Sequence, residues 1–280
     1  MIKVALTHTA LAFSLVLAGA AVGCGANPGG GESTDAATQE LASDGNEAVI
    51  ASDQGTIDMT DATFDLASAT DATLVADALV SAPNDPISGK CRTRAKDPSD
   101  PHTVIITLTH CAGRFGNKDV SGTEIVHFTM GSAGVIHADF HSENLTAGGK
   151  PASHTATADI TVSGTTRTIA WQGAWARTND KGLAVTHTSD LTITVDTAAH
   201  CRTRNGTAVT HVGNREIHTT ITDLKVCSDE NGTPGCPTGE VVHANQTNGK
   251  TITVEFDGSN QAAVTTSKGV TFDKTMTCGG

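Results

Sequence analysis

From about Thr103 to the C-terminus, apolar and polar residues alternate with period two. In Thr155–Val162 one face carries Ala156, Ala158, Ile160 and Val162, and the other carries Thr155, Thr157, Asp159 and Thr161. Ile169, Trp171, Gly173 and Trp175 alternate in the same way, as do Leu191, Ile193 and Val195. One apolar and one polar face is the pattern of antiparallel strands on a core. Turn residues punctuate the runs at hairpin spacing, at Gly131–Gly134, Ser163-Gly164, Asn179–Gly182, Gly213-Asn214, Asn248-Gly249, Gly258–Asn260 and Lys268-Gly269. The spacing predicts about a dozen strands. It predicts one helix, Asp71–Val80, with Thr70 as N-cap. No helical crossovers separate the strands, which excludes a parallel βαβ sheet. A transmembrane barrel needs aromatic girdles, and the chain has no Tyr, two Trp and seven Phe. The fold class expected is therefore all-β: an antiparallel meander folded as a sandwich or as a curved, partly closed sheet.

The cysteines supply register. Cys91 and Cys111 are symmetric about Pro101, and Cys201 and Cys227 about Asn214, each centre lying in a turn-like run. A hairpin on either centre sets its cysteines opposite one another, within bridging reach. Cys236 opens a four-run meander that Cys278 closes, and an even number of strands returns the chain to its starting end. The pairs expected are 91–111, 201–227 and 236–278; the rival is 227–236 with 201–278. Cys91-Arg-Thr-Arg94 recurs as Cys201-Arg-Thr-Arg204, which suggests two similar halves, 87–200 and 201–280.

Composition changes the picture at the N-terminus. Lys3, the apolar run Val4–Leu17 and the small residues Ala18–Gly23 form an export signal, too short for a membrane span. Ending in Ala-Val-Gly-Cys24, it resembles a bacterial lipoprotein signal. The resemblance implies cleavage after residue 23 and lipidation of Cys24. Of the seven cysteines, removing Cys24 leaves an even set for bridges. Residues 25–89 hold twelve Asp or Glu and no Lys or Arg, whereas from Lys90 onward acids and bases nearly balance. Residues 24–55, poor in large apolar side chains, read as a lipidated acidic flexible linker, and 56–280 as the β-rich domain. The net charge of −12 excludes general nucleic-acid binding, which needs a basic footprint.

Candidate chemistry is sparse. Ala244–Thr251 (ANQTNGKT) fits a permissive P-loop pattern, but Asn248-Gly249 reads as a hairpin turn and Thr251–Phe256 as a strand, so the helix that would hold phosphate is missing. In the hairpin Thr123–Met130/Val135–Ser142, a loop at Ser132-Ala133-Gly134 sets His127 opposite Asp139, with His137 and His141 diagonal. These are the candidate zinc or copper ligands. His137 and His141 lie about 13 Å apart along one strand, so a site would use His127, Asp139 and one of them. The plainer expectation is a solvated polar face with a His127–Asp139 hydrogen bond. Ser132 lacks the preceding glycine of a nucleophile elbow. Trp171 and Trp175 could stack sugars but read as core anchors. Arg92/Arg94 and Arg202/Arg204 each share a face and read as surface charge. Thr-x-Thr pairs such as Thr155/Thr157 suit the solvent side of a strand.

The blocks Ala-Val-Gly-Cys24, S163-G-T-T-R-T-I-A-W171, C201-R-T-R-N-G-T207, Cys227 with G235-C236-P-T-G239, and G249-K-T-I-T-V-E-F-D-G258 resemble a group of predicted secreted lipoproteins of unknown function, common in myxobacteria and related bacteria. That resemblance spans most of 87–280 and implies a β-rich envelope protein with no stated activity. The expectation is a non-enzymatic envelope lipoprotein of structural, adhesive or ligand-binding role, needing no cofactor. Gly25 and Ala26 resemble residues that permit outer-membrane sorting, so it would sit on the periplasmic or surface side of that membrane. Its partners would be the membrane, through the lipid, and an envelope protein or polysaccharide. The alternative is a metal- or polysaccharide-binding module on the same scaffold.

Overall fold

The computed structural model describes residues 71–81, 91–111, 119–179, 181–229, 235–276 and 278. The leader, Cys24 and the acidic linker lie outside them. Helix α1 (Ala72–Ser81) precedes thirteen strands: β1 (Arg92–Asp97), β2 (Asp100–Cys111), β3 (Val120–Met130), β4 (Ile136–Ala147), β5 (Lys150–Ser163), β6 (Thr166–Thr178), β7 (Ala184–Asp196), β8 (Cys201–Val212), β9 (Arg215–Cys227), β10 (Thr238–Asn245), β11 (Thr251–Asp257), β12 (Gln261–Thr266) and β13 (Thr271–Thr275). Each strand pairs only with its sequence neighbours, in the order β1 to β13, so the expected antiparallel meander takes the form of one continuous, unclosed sheet. The sheet runs unbroken across residue 200, where β7 and β8 pair from Asp196↔Cys201 to Val185↔Val212.

Alternation works as read. Ile136, Ala138 and Phe140 are buried while Asp139 and His141 are exposed, and β7 repeats the pattern along its whole length. The buried face carries an apolar core from α1 through β7 and a second, smaller one from β7 to β12. No second sheet covers that face among the described residues, and a sheet this wide rarely stays flat. Irregular positions interrupt the ladder: β3–β4 shifts register at Gly122, β8–β9 at Asn205, just before Gly206, and β9–β10 at Gly239. At Gly206 φ is +142° and a Cβ would strike the Asp190 carbonyl oxygen, so only glycine lets β7 and β8 approach there.

α1 packs on the inner, buried face against β1, β2 and β3, with Val75, Ala76 and Leu79 fully buried among Val104, Ile106 and Val126. Asp71 Oδ1 accepts the Thr73 backbone N–H at 2.9 Å. Asp71 thus caps the helix, whereas Thr70, the N-cap expected from the sequence, lies outside the described residues. Three bridges staple the sheet: Cys91–Cys111, Cys201–Cys227 and Cys236–Cys278, with Cα–Cα distances of 5.1, 4.0 and 5.1 Å. These are the pairs that hairpin symmetry indicated.

Candidate functional site

The β3–β4 hairpin has the expected register, Met130↔Ile136 through His127↔Asp139 and Ile125↔His141, with Gly134 at φ +76° in the loop. The expected His127–Asp139 hydrogen bond is not made. His127 turns instead to β2, where its Nδ1 lies 3.0 Å from Asp100 Oδ2 and 2.9 Å from Thr103 Oγ1. The Thr103 hydroxyl donates to Asp100 at 2.7 Å. Thr103 pairs directly with His127 on that side, so β2 offers an acceptor pair that Asp139 cannot match. Asp139 belongs to His137. The His137 ring bridges Asp159 on β5, at 2.7 Å from Nδ1, and Asp139, at 3.4 Å from Nε2. The hydrogen bond to Asp159 and the two carboxylate charges raise the His137 pKa. His141 stands apart, 3.9 Å from Glu143. Both His137 nitrogens are already engaged by carboxylates. Among the described residues no three His, Cys, Asp or Glu side chains converge as metal ligands.

The concavity on the exposed face lies one strand further on. A shallow trough of about 620 Å³ crosses β4–β8. One register row supplies Asp139, Thr157, Gln172, Asp190 and Thr207, and the next supplies Thr155, Ala174, Thr188 and Val209. The trough is shallowest in side-chain cover over β6, where Ala174 lies between Thr155 and Thr188. No Lys or Arg lines it. Sequence reading singled out Asp139, Thr155 and Thr157 but missed Gln172, Thr188, Asp190 and Thr207. The signal was available: full-length pairing of the β5–β8 hairpins aligns them.

On the inner face runs a buried polar band. His154 Nδ1 lies 3.0 Å from Glu124 Oε1, His187 Nδ1 shares a hydrogen bond with Thr210 Oγ1 at 2.8 Å, and His243 Nδ1 shares one with Thr219 Oγ1 at 2.9 Å. Burial, aided at His187 by the charge of His154, pushes the His187 pKa down to about 4, and burial alone does the same at His243. Trp171 and Trp175 are 2% and 3% exposed, as core anchors should be. The Trp171 indole lies over Gly173, where a Cβ would come within 2.6 Å of its Nε1. Arg92, Arg202 and Arg204 contradict the surface reading: each Cys-Arg-Thr-Arg pair does share one face, but it is the buried one. Ala244–Thr251 forms the β10–β11 hairpin turn, in which Asn245 Oδ1 accepts the Thr247 and Asn248 amides, so no phosphate loop exists there.

No family model, curated protein or solved structure matches the chain.

Proposed function

We propose that this chain is a non-enzymatic lipoprotein of the bacterial outer membrane, tethered through lipidated Cys24, whose trough across β4–β8 holds a neutral, hydroxyl-rich ligand such as a polysaccharide. The observation that carries the reading is the composition of that trough. Asp139 and Asp190 accept hydrogen bonds, while Gln172, Thr155, Thr157, Thr188 and Thr207 both donate and accept. A polyol presents the same mixture. The surrounding exposed face favours neutral over anionic polymers, because Glu143, Asp159 and Glu216 point outward with Asp139 and Asp190. Five regular paired strands hold the side chains, so little ordering remains to be done on binding.

The test is a glycan array probed with the exported protein carrying Cys24→Ser, beside the same protein with Asp190→Ala and Gln172→Ala. Losing a hydrogen bond to a charged group costs about 1.5–3 kcal/mol, so the variant should bind at least about tenfold more weakly. The reading fails if no neutral glycan binds, or if the variant binds as well as its parent.

A further inference from the structure

The exposed row that floors the trough does not stop at β8. From Thr207 the register carries it through Thr220 on β9, Val242 on β10, Thr253 on β11, Thr265 on β12 and Thr271 on β13. Every pairing along it from Asp139 onward lies in regular ladder, clear of the register shifts. One row thus crosses the strands from β4 to β13, about 43 Å at the usual strand spacing, and Val242 is its one apolar member. Elsewhere on this face polar side chains are spent on one another, His137 with Asp159 and Asn205 with Asp223. Thr157, Gln172, Asp190 and Thr207 make no such pair among the described residues, so the floor of the trough keeps its hydroxyl, amide and carboxylate groups for a ligand.

Spacing decides how a chain-like ligand would lie. Along one strand, side chains of the same face recur at every second residue, about 6.8 Å apart, whereas across the strands they recur at about 4.8 Å. A sugar ring in an extended β-1,4-linked chain advances by close to the second distance. Such a chain laid across the sheet sets one ring on each strand. An α-1,4-linked chain coils and loses that match after a few rings. Charge narrows the choice further. Glu240, Glu255 and Asp273 form the neighbouring row on β10, β11 and β13, and with Asp139 and Asp190 they repel an anionic polymer.

We propose, resting on the reading of the trough as a glycan site, that the ligand is an extended neutral β-1,4-linked polysaccharide lying perpendicular to the strands, one sugar to each strand. Its path runs beyond the trough onto Thr220, Thr253, Thr265 and Thr271.

The experiment is calorimetric titration of the exported protein carrying Cys24→Ser with β-1,4-linked glucose oligomers of two to six units. Each added ring brings hydrogen bonds worth a few-fold in affinity, so six units should bind at least about tenfold more tightly than two. Six α-1,4-linked glucose units should bind at least about tenfold more weakly than six β-1,4-linked ones. One ring to each strand fills the trough from β4 to β8, and the sixth ring reaches β9. Thr220→Ala should therefore weaken the six-unit oligomer about threefold and leave the four-unit oligomer unchanged. Three results overturn the inference while leaving a glycan-binding trough: affinity that is constant from two to six units, α-linked oligomers binding as well as β-linked ones, or Thr220→Ala keeping full six-unit affinity. So does failure of the β-1,4-linked oligomers to bind when another neutral glycan does. Absence of binding to every neutral glycan overturns both readings.

Discussion

Acid should unfold this protein well above the pH at which carboxylates titrate, because of two buried histidines. His187 and His243 are each 2% exposed, and each meets a threonine hydroxyl, which cannot compensate a charge. Their native pKa values are about 4, against about 6.5 in the unfolded chain. The unfolded state therefore binds more protons between these limits, and stability falls as pH falls through them. Above pH 6.5 both rings are neutral in both states and nothing is lost. At pH 5 each contributes about 2 kcal/mol of destabilisation, and by pH 4 about 3 kcal/mol. Together they remove about 6 kcal/mol by pH 4, comparable to the whole stability of many domains. His137 works in the opposite direction, since its raised pKa adds stability as pH falls below its native value, but it is more than one-third exposed and solvent screens the gain. Urea melts followed by the fluorescence of buried Trp171 and Trp175 at pH 7, 6 and 5 would show the trend. His187→Gln and His243→Gln should each remove about half of the slope of stability against pH. A wild-type midpoint that is the same at pH 7 and pH 5, or a double variant that keeps the full slope, would refute the reasoning.

Other expectations follow from the backbone and the bridges. Non-reducing peptide mapping of the exported protein should recover 91–111, 201–227 and 236–278, and reduction should lower Tm, since a native bridge is worth about 2–5 kcal/mol; a mapped 227–236 pair would be contrary. Gly206→Ala should cost about 3 kcal/mol in urea melts, because its Cβ has nowhere to go beside Asp190 and Leu191. Gly149→Ala, which meets open space at φ +72°, should cost only about 1 kcal/mol. Cys24→Ser should move the protein from the membrane fraction to the soluble one, and a wild-type protein already soluble and free of lipid mass would defeat the anchor.

What was legible in the sequence is what depends on near neighbours. Strand alternation, the Gly134 loop and the Cys201–Cys227 pairing follow from two adjacent strands and the turn between them. The partner of His127 does not, because it is chosen by β2, a third strand outside that hairpin. Taken alone, the hairpin gives Asp139 as the only acid within reach; the third strand supplies Asp100 and Thr103 together. The trough escaped for a related reason. Asp190 and Gln172 join the row of Asp139 only when three strand registers are propagated without a slip.

The arginines were misread for a different reason. A charged residue on an alternating strand is ordinarily placed on the solvent side, and Arg92, Arg94, Arg202 and Arg204 obey the alternation perfectly well. Their phase, however, is that of Val195, Val226 and Ile106, with which they pair laterally or share a row. Phase relative to the cysteines was the available signal: Cys201 pairs with Cys227 at the strand ends, which fixes Arg202 opposite Val226 and hence inward. Burying guanidinium groups against a valine row is unfavourable unless anions accompany them. The two Cys-Arg-Thr-Arg runs do so on the same inner face, and each of their four arginines has a polar or electrostatic partner there.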